Sequence, residues 1–284
     1  MKILISTDIE GVAGVFHAEQ TRPGNGEYER ARAWMTAEAN AAVAGAFAGG
    51  ATEVLVNDSH GGFRNLLPDQ LDPRARLVLG KPRYLGMMAG IEDGADGVLM
   101  IGYHGRAQSR GVLAHTINSG AFARVWLNGM ELGEAGLYGA LAGELGVPVL
   151  MASGDDVFVH ETRPLMPWVR FVETKRAGGF GSGTTLSPAA AREAIEAAAA
   201  EGVRAAAQAQ CLRLDTPLDT PLDTPLDTPV SARLQTLTPA HADLFCQWPA
   251  LERLDGVTLG FQADSVQGAV RMLNCLSAMS FMLK

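Results

Sequence analysis

Two acidic residues directly after the first apolar segment of the chain have a spacing that could hold a metal ion. Ile3–Ile5 form a short apolar run typical of a buried strand, and the chain then reaches Asp8 and Glu10. Side chains alternate along an extended chain, so carboxylates two residues apart point to the same side. Such carboxylates repel each other unless a cation or a proton lies between them. A metal site is one interpretation, and an acidic turn after an edge strand fits these two residues alone about equally well.

Three later apolar runs also end in polar or charged side chains. Val54–Val56 leads to His60, Val98–Ile101 leads to His104, and a further run ends just before Asp155. Near-continuous apolar runs separated by helical or loop segments predict an α/β fold with a mostly parallel sheet covered by helices. The carboxyl ends of parallel strands lie at one edge of a sheet, where ligands bind. We therefore expect these polar side chains to meet there.

A hairpin signal later in the chain places one more carboxylate. Asn128-Gly129 separates the segments Arg124–Leu127 and Met130–Leu132, and this dipeptide strongly favours a tight hairpin turn. The hairpin leads to Glu134, which begins a predicted helix. At that position Glu134 could bind a metal or could simply interact favourably with the helix dipole, and both interpretations fit the residue alone.

The candidate metal ligands are carboxylates and imidazoles, with no thiolate among them. They are Asp8, Glu10, His60, His104 and Glu134, with His115 nearby. This donor set suits zinc, with manganese, cobalt or iron as alternatives. Five ligands are too many for one tetrahedral catalytic ion but suit two ions that share a bridging carboxylate, for which Asp8 is the predicted residue. Because a single histidine after a strand is more often a turn or core residue, the prediction depends on the joint pattern.

The composition restricts the class of protein. A chain of 284 residues is long enough for one large domain or two ordinary ones. A net charge of -8 argues against nucleic acid and anionic membranes as partners. The three cysteines lack paired short spacings, as is typical of a reducing compartment. We expect a cytoplasmic protein, because the start lacks the apolar core of a signal peptide and no segment has membrane-spanning length.

The sequence also predicts two structural units. Residues 1–160 would form the metal-binding catalytic α/β domain, and residues 161–284 a smaller α/β domain. In the second unit, residues 214–229 are four copies of L-D-T-P, whose prolines exclude a regular helix or central strand and predict a surface loop. The other elements predicted there are a strand at Val169–Glu173, a glycine-rich loop at Gly178–Gly183, helices at Pro188–Gln210, Pro239–Trp248 and Ser265–Met282, and strands at Ala232–Leu237 and Val257–Gln262.

An ordered set of motifs resembles the M55 metallopeptidases, a family of D-aminopeptidases. In chain order the motifs are S-T-D-I-E-G, V-N-D-S-H, G-Y-H, A-H-T and G-E-A-G-L. The resemblance continues through Y-E-R-A-R, M-T-A-E-A-N, G-D-D and L-S-P, and it covers roughly the first two thirds of the chain. The L-D-T-P repeat departs from the family pattern, so the resemblance does not extend to the surface that the repeat forms.

The resemblance implies a role for each candidate ligand. Asp8 would bridge two zinc ions. Glu10 and His104 would complete one site, while His60 and Glu134 would complete the other.

The resemblance further implies a catalytic residue, a substrate class and an assembly. His115 matches the family's proposed nucleophile, although a bridging water is a competent nucleophile and the imidazole could instead shuttle protons. The substrate would be a short peptide with a free amino terminus, with D-residues there, and the enzyme would form a homo-oligomer, specifically a decameric ring. The predicted function is thus a di-zinc D-aminopeptidase. The alternatives are a dinuclear metal amidase or phosphoesterase on the same scaffold and a non-catalytic peptide-binding component of an uptake system.

Overall fold

Two β-sheets form the framework of the protein in a computed structural model that describes residues 1–214 and 229–283. Residues 215–228, which make up most of the predicted L-D-T-P loop, lie outside the described residues. In chain order the strands are β1 (Lys2–Thr7), β2 (Glu53–Asp58), β3 (Ala75–Val78), β4 (Gly97–Tyr103), β5 (Phe122–Leu127), β6 (Met130–Glu131), β7 (Val149–Asp155), β8 (Arg170–Gly179), β9 (Ser182–Thr185), β10 (Val230–Thr236), β11 (Glu252–Arg253) and β12 (Thr258–Ala263).

The larger sheet has seven strands in the order β3-β2-β1-β4-β7-β8-β9. All its neighbouring strands are parallel except β8 and β9, which form an antiparallel hairpin at one edge. The four apolar runs that predicted buried strands correspond to β1, β2, β4 and β7. The predicted α/β fold with a mostly parallel sheet is therefore confirmed.

The described residues contain six α-helices, which cover the sheets. They are α1 (Gly26–Gly49), α2 (Glu134–Glu144), α3 (Asp156–Thr162), α4 (Pro188–Arg204), α5 (Pro239–Phe245) and α6 (Val266–Met279). Alternate side chains of β1 enter different cores, as the pleat of a strand requires. Ile3 and Ile5 pack in a cluster with α1 and α4, whereas Leu4 packs in a second cluster with α2, α6 and the smaller sheet. Both faces of β1 are therefore buried.

The smaller sheet has five antiparallel strands in the order β11-β12-β10-β5-β6. Its β5–β6 turn is the hairpin that the sequence predicts. Asn128 and Gly129 both adopt left-handed backbone conformations, with φ of 48° and 81°. These angles are what a two-residue hairpin turn of this hand requires.

The sheets draw their strands from both halves of the chain. β8, β9 and α4 follow residue 160 yet pack with the larger sheet, whereas β5 and β6 precede it and belong to the smaller one. The division of the chain into domains 1–160 and 161–284 stays a prediction.

The structure differs from the prediction at the glycine-rich segment and at the end of α4. The glycine-rich segment Gly178–Gly183 is not a free loop, because β8 continues to Gly179 and pairs with β9 from Ser182. Helix α4 begins at Pro188 with Ser187 as its cap but ends at Arg204, before the predicted end at Gln210. Glycine is tolerated in the β8–β9 hairpin because this hairpin lies at the edge of the larger sheet, where backbone pairing does not depend on side-chain packing.

Candidate metal centre

Three neighbouring parallel strands carry candidate ligands at their carboxyl ends. Asp8 directly follows β1, His60 follows β2 by two residues, and His104 directly follows β4. The backbone pairing extends past the strands, since Asp8 N donates to Ile101 O at 2.8 Å and Ser59 N donates to Thr7 O at 2.8 Å. Parallel topology therefore brings together three side chains from distant parts of the sequence.

Two glycines allow the turn after Asp8 to lie directly against the end of β4. Gly11 N donates to Gly102 O at 2.7 Å. A Cβ atom on Gly11 would lie 1.9 Å from Tyr103 O, and one on Gly102, whose φ is +73°, would lie 2.2 Å from Asp8 O. Only glycine fits at this distance, because any side chain would overlap backbone atoms. This close approach places Glu10 beside the strand ends.

Glu134 reaches the same place from the smaller sheet. It is the first residue of α2, immediately after the β5–β6 hairpin. Its Oε1 atom accepts a hydrogen bond from Ile117 N at 2.6 Å, which links it to the segment that carries His115. The hairpin and the helix start together fix this carboxylate.

The two oxygens of Asp8 face different histidines. Oδ1 of Asp8 lies 3.1 Å from Nδ1 of His60, and Oε2 of Glu10 lies 3.0 Å from the same nitrogen. Oδ2 of Asp8 lies 3.3 Å from Nε2 of His104, which is in turn 3.5 Å from Oε2 of Glu134. The structure thus brings all five predicted ligands together, with Asp8 in the middle.

His115 lies at the edge of this cluster. Its ring stacks on that of His104, with centroids 4.2 Å apart and planes inclined by 13°. Its Nε2 lies 3.7 Å from Oε1 of Glu134. In two overlapping triads the potential ligand atoms all lie within 4.8 Å of one another; these triads are Asp8, Glu10 and His104, and His104, His115 and Glu134.

Each of the three imidazoles directs its second nitrogen at a backbone carbonyl. The partners are Thr21 O for His60 Nε2 at 2.9 Å, Gly105 O for His104 Nδ1 at 3.0 Å, and Leu113 O for His115 Nδ1 at 2.9 Å. A nitrogen that faces a carbonyl carries the proton and donates it. The other nitrogen of a neutral ring then presents its lone pair to the cluster, which is the arrangement that metal-bound histidines require.

The centre concentrates negative charge in a buried place. The Asp8, Glu10 and Glu134 side chains belong to residues exposed by only 2 to 4%. Burial raises the pKa of Glu10, but the adjacent His60 outweighs that effect and holds this pKa well below its ordinary value. Burial likewise opposes charge on His60 and His104, yet the carboxylates of Glu10 and Glu134 keep both histidine pKa values well above normal. The carboxylates of Glu10 and Glu134, whose pKa values are both lowered, therefore stay ionised and attract positive charge.

Two buried polar atoms in the centre have no hydrogen-bond partner among the described residues. They are Oε2 of Glu10 and Nε2 of His104, and both face the cluster. Buried polar atoms in folded proteins are nearly always paired with protein, water or an ion, so two orphans in one place call for a ligand. Carboxylate and imidazole donors without thiolate match the coordination chemistry of zinc. The residues present therefore fit a zinc site.

Other acidic residues near the strand ends hold loops and do not contact the histidines. Asp58 accepts hydrogen bonds from Asn65 N and Leu66 N. Asp155 caps α3 and accepts from Val112 N at 2.6 Å, which steadies the segment before His115. These carboxylates therefore act as caps and loop anchors.

Sequence reasoning missed two buried charged residues beneath the turn that carries Glu10. They are Lys175 in β8 and Glu38 in α1, exposed by 2% and 1%. Apolar periodicity marks neither residue, because it identifies apolar faces and treats every charged residue as exposed. The predicted strand Val169–Glu173 stops before Lys175, whereas β8 continues to Gly179, so no predicted element marked this lysine as buried.

The M55 family model, described as D-aminopeptidase, matches residues 1–275. The chain belongs to this family. A D-aminopeptidase from Bacillus subtilis (strain 168) is 40% identical over 191 residues, which cover 67% of this chain and 69% of that protein. The resemblance predicted from the motifs is confirmed, and the M55 chain is a peptidase by family.

A solved structure has the same fold. It is described as the Zn-dependent D-aminopeptidase DppA from Bacillus subtilis, a self-compartmentalizing protease. The TM-score is 0.88 at 31% identity, and the match covers 99% of the M55 chain and 98% of the other chain. Among the described residues of the M55 chain, no helix is both long and apolar enough to cross a membrane.

Proposed function

We propose that the M55 chain is a zinc-dependent D-aminopeptidase that removes the N-terminal residue of short peptides. The observation that carries the proposal is the convergence of five buried or half-buried ligand side chains with two orphaned donor atoms among them. The relatives support both the metal and the substrate class, because one is named a D-aminopeptidase and the other a Zn-dependent D-aminopeptidase.

We assign two zinc ions to the centre, with Asp8 as the bridge. The bridge is supported by the position of its oxygens, one beside His60 and one beside His104. Glu10 and His104 would complete one site, and His60 and Glu134 the other. The triad of Asp8, Glu10 and His104 within 4.8 Å supports the first grouping.

His115 is the proposed catalytic residue. When bound, zinc would polarise the scissile carbonyl and lower the pKa of a water molecule. His115 Nδ1 donates to Leu113 O, so Nε2 carries the lone pair and can accept a proton. The His115 side chain is exposed by 19%, against 1% for His104, so a substrate can reach it. Both roles, nucleophile and proton shuttle, use this same atom.

We propose further that the M55 chain forms a homo-oligomeric ring of ten chains. The support is its likeness to a protease described as self-compartmentalizing. Native mass spectrometry should give a mass near ten times that of one 30.0 kDa chain. The cytoplasmic location expected from the sequence stays a prediction.

The decisive experiment is metal content per chain in protein purified without chelator, with release of D-Ala from D-Ala-D-Ala measured on the same sample. Close to two zinc ions and chelator-sensitive release are the expected results. Two ions without release would overturn the substrate class and direct attention to amides and phosphoesters, or to peptide binding without cleavage. No metal after zinc is supplied would overturn the centre itself.

A further inference from the structure

Lys175 is a fully buried cation that the proposed reaction does not use. It lies in the middle of β8, with the whole residue exposed by 2%. Its Nζ donates to three backbone carbonyls, those of Glu10, Val12 and Val15, the second at 3.1 Å. An ammonium group has three donors and no acceptor, so these contacts use its whole hydrogen-bonding capacity. Lys175 therefore has no donor left for a substrate.

The three carbonyls belong to a single turn, residues 10–15, that begins at the candidate ligand Glu10. Other buried groups hold the same turn from further directions. Glu38 Oε1 accepts from Ala13 N at 2.9 Å, and Thr174 Oγ1 donates to Gly11 O at 2.6 Å. The turn thus wraps around the ammonium group, and its conformation depends on that group.

Burying this cation is costly. Within the described residues, Lys175 has no carboxylate within ion-pair distance, and burial lowers its pKa to about 8. The charges of Asp155, Glu38 and Glu10 offset the burial of this ammonium group only in part. A buried cation whose direct partners are carbonyls is costly relative to an apolar side chain of similar volume. Its position is explained if the geometry of the turn matters to function.

We propose that Lys175 is a positioning residue that fixes Glu10 for zinc binding by holding the turn 10–15. The inference rests on the proposed zinc centre. The path is short: Nζ of Lys175 binds the carbonyl oxygen of Glu10, and the side chain of the same residue presents its orphaned Oε2 to the cluster. The same Glu10–Gly11 peptide group is held at its other end, where Gly11 N donates to Gly102 O. Removing Lys175 therefore frees the carbonyl end of this peptide, while its N–H end stays anchored.

The test is zinc titration of zinc-free Lys175→Met, with competition from a chromophoric chelator. Methionine keeps a long unbranched side chain, shorter than lysine by the terminal nitrogen, and removes the charge and the donors. We expect the zinc site that includes Glu10 to weaken about 10- to 100-fold, the range typical when an outer partner of a metal ligand is removed, while the other ion is retained. Arg176→Met is the matched control, because Arg176 is the next residue of β8 and its side chain is 76% exposed.

A double-mutant cycle separates positioning from general stability. If Lys175 acts through Glu10, then adding Lys175→Met to Glu10→Gln leaves zinc binding unchanged, whereas independent effects add. Additive losses, or wild-type binding of both ions by folded Lys175→Met, would overturn the inference. Should that variant fail to fold, Lys175→Gln keeps amide donors and is expected to weaken the same site to a smaller degree. Wild-type protein that binds no zinc would instead overturn the proposed function.

Discussion

The seven-stranded sheet and the five-stranded sheet place their strand ends in opposite ways. In the larger sheet, neighbouring strands β2, β1 and β4 run parallel and end side by side, each followed by a candidate ligand. In the smaller sheet every pair is antiparallel, so neighbouring strands end at opposite edges. Only Glu134 comes from that side, and it arrives on the helix after a hairpin.

This difference predicts which property a substitution in each sheet should change. A parallel sheet gathers side chains from distant parts of the sequence at one edge, whereas an antiparallel sheet disperses them. Substitutions at the edge of the larger sheet should therefore change metal binding and rate. Substitutions inside the smaller sheet should change the free energy of unfolding and leave the centre intact.

The largest effect is expected from Asp8→Ala. Because its two oxygens face the two halves of the cluster, the variant should lose both zinc ions, and hydrolysis of D-Ala-D-Ala should fall by at least about 10³-fold. Glu10→Gln is the comparison and should lose one ion. Elemental analysis of both proteins gives the answer, and two ions retained by Asp8→Ala would remove Asp8 as the bridge.

His115→Ala should separate the chemistry from the metal. We expect kcat to fall by about 10²- to 10⁴-fold, the usual contribution of a positioned acid or base, with zinc content unchanged. The measurement is kcat together with zinc per chain. A variant that loses zinc would show that His115 is a ligand, as its triad with His104 and Glu134 would allow.

Leu259→Ala tests the smaller sheet. Leu259 lies in β12 and is completely buried, so the truncation should lower the free energy of unfolding by about 2–5 kcal/mol. Zinc affinity and kcat of the folded protein should match the wild type. Gln262→Ala, at an exposed position of the same strand, is the control in urea unfolding and should stay within about 0.5 kcal/mol. A loss of zinc by Leu259→Ala would break the division between the sheets.

The smallest effect concerns Glu38, beneath the turn 10–15. Burial raises the pKa of Glu38 from 4.5 to about 7, against the hydrogen bond from Ala13 and the charge of Lys175. Between these two values the folded state holds a proton that the unfolded state releases, so stability falls as pH rises through this window and levels off above about 7.

Glu38→Gln should remove that pH dependence. Relative to wild type, the variant should gain up to roughly 3 kcal/mol between pH 5 and pH 8, because a shift of one pKa unit corresponds to about 1.4 kcal/mol. Unfolding in urea at both pH values measures the gain, with the exposed Glu193→Gln as control. Equal pH dependence in wild type and Glu38→Gln would show that Glu38 is ionised in the folded protein.

The sequence predicts four central strands of the larger sheet well because each has a local signal in its own residues. Continuous apolar runs mark β1, β2, β4 and β7, and each ends where polar residues begin. The convergence of Asp8, His60 and His104 then follows from parallel topology alone. The positions of Glu10 and Glu134 do not, since they depend on the close backbone contact at Gly11 and on the hairpin that precedes Glu134.

Local sequence patterns do not predict which sheet a strand belongs to. β5 pairs with β10 across more than a hundred residues of sequence, and β8 joins the larger sheet beside β7. Such pairings depend on tertiary packing, which periodicity does not encode. The burial of Lys175 could not be predicted for a related reason. Its hydrogen-bond partners are backbone carbonyls, which every residue has, so the sequence contains no pattern that marks them.

The contact between Gly11 and Gly102 has a consequence for protein engineering. Copying the five ligands onto another parallel sheet would not reproduce the centre, because a Cβ at either glycine would overlap backbone oxygen and push the first turn away from its neighbour. A transplanted site must include both glycines, even though neither of them offers a side chain to the metal. The smallest unit that can be transferred to another protein is therefore the backbone contact between the turn at Gly11 and the end of β4 at Gly102, together with the ligands.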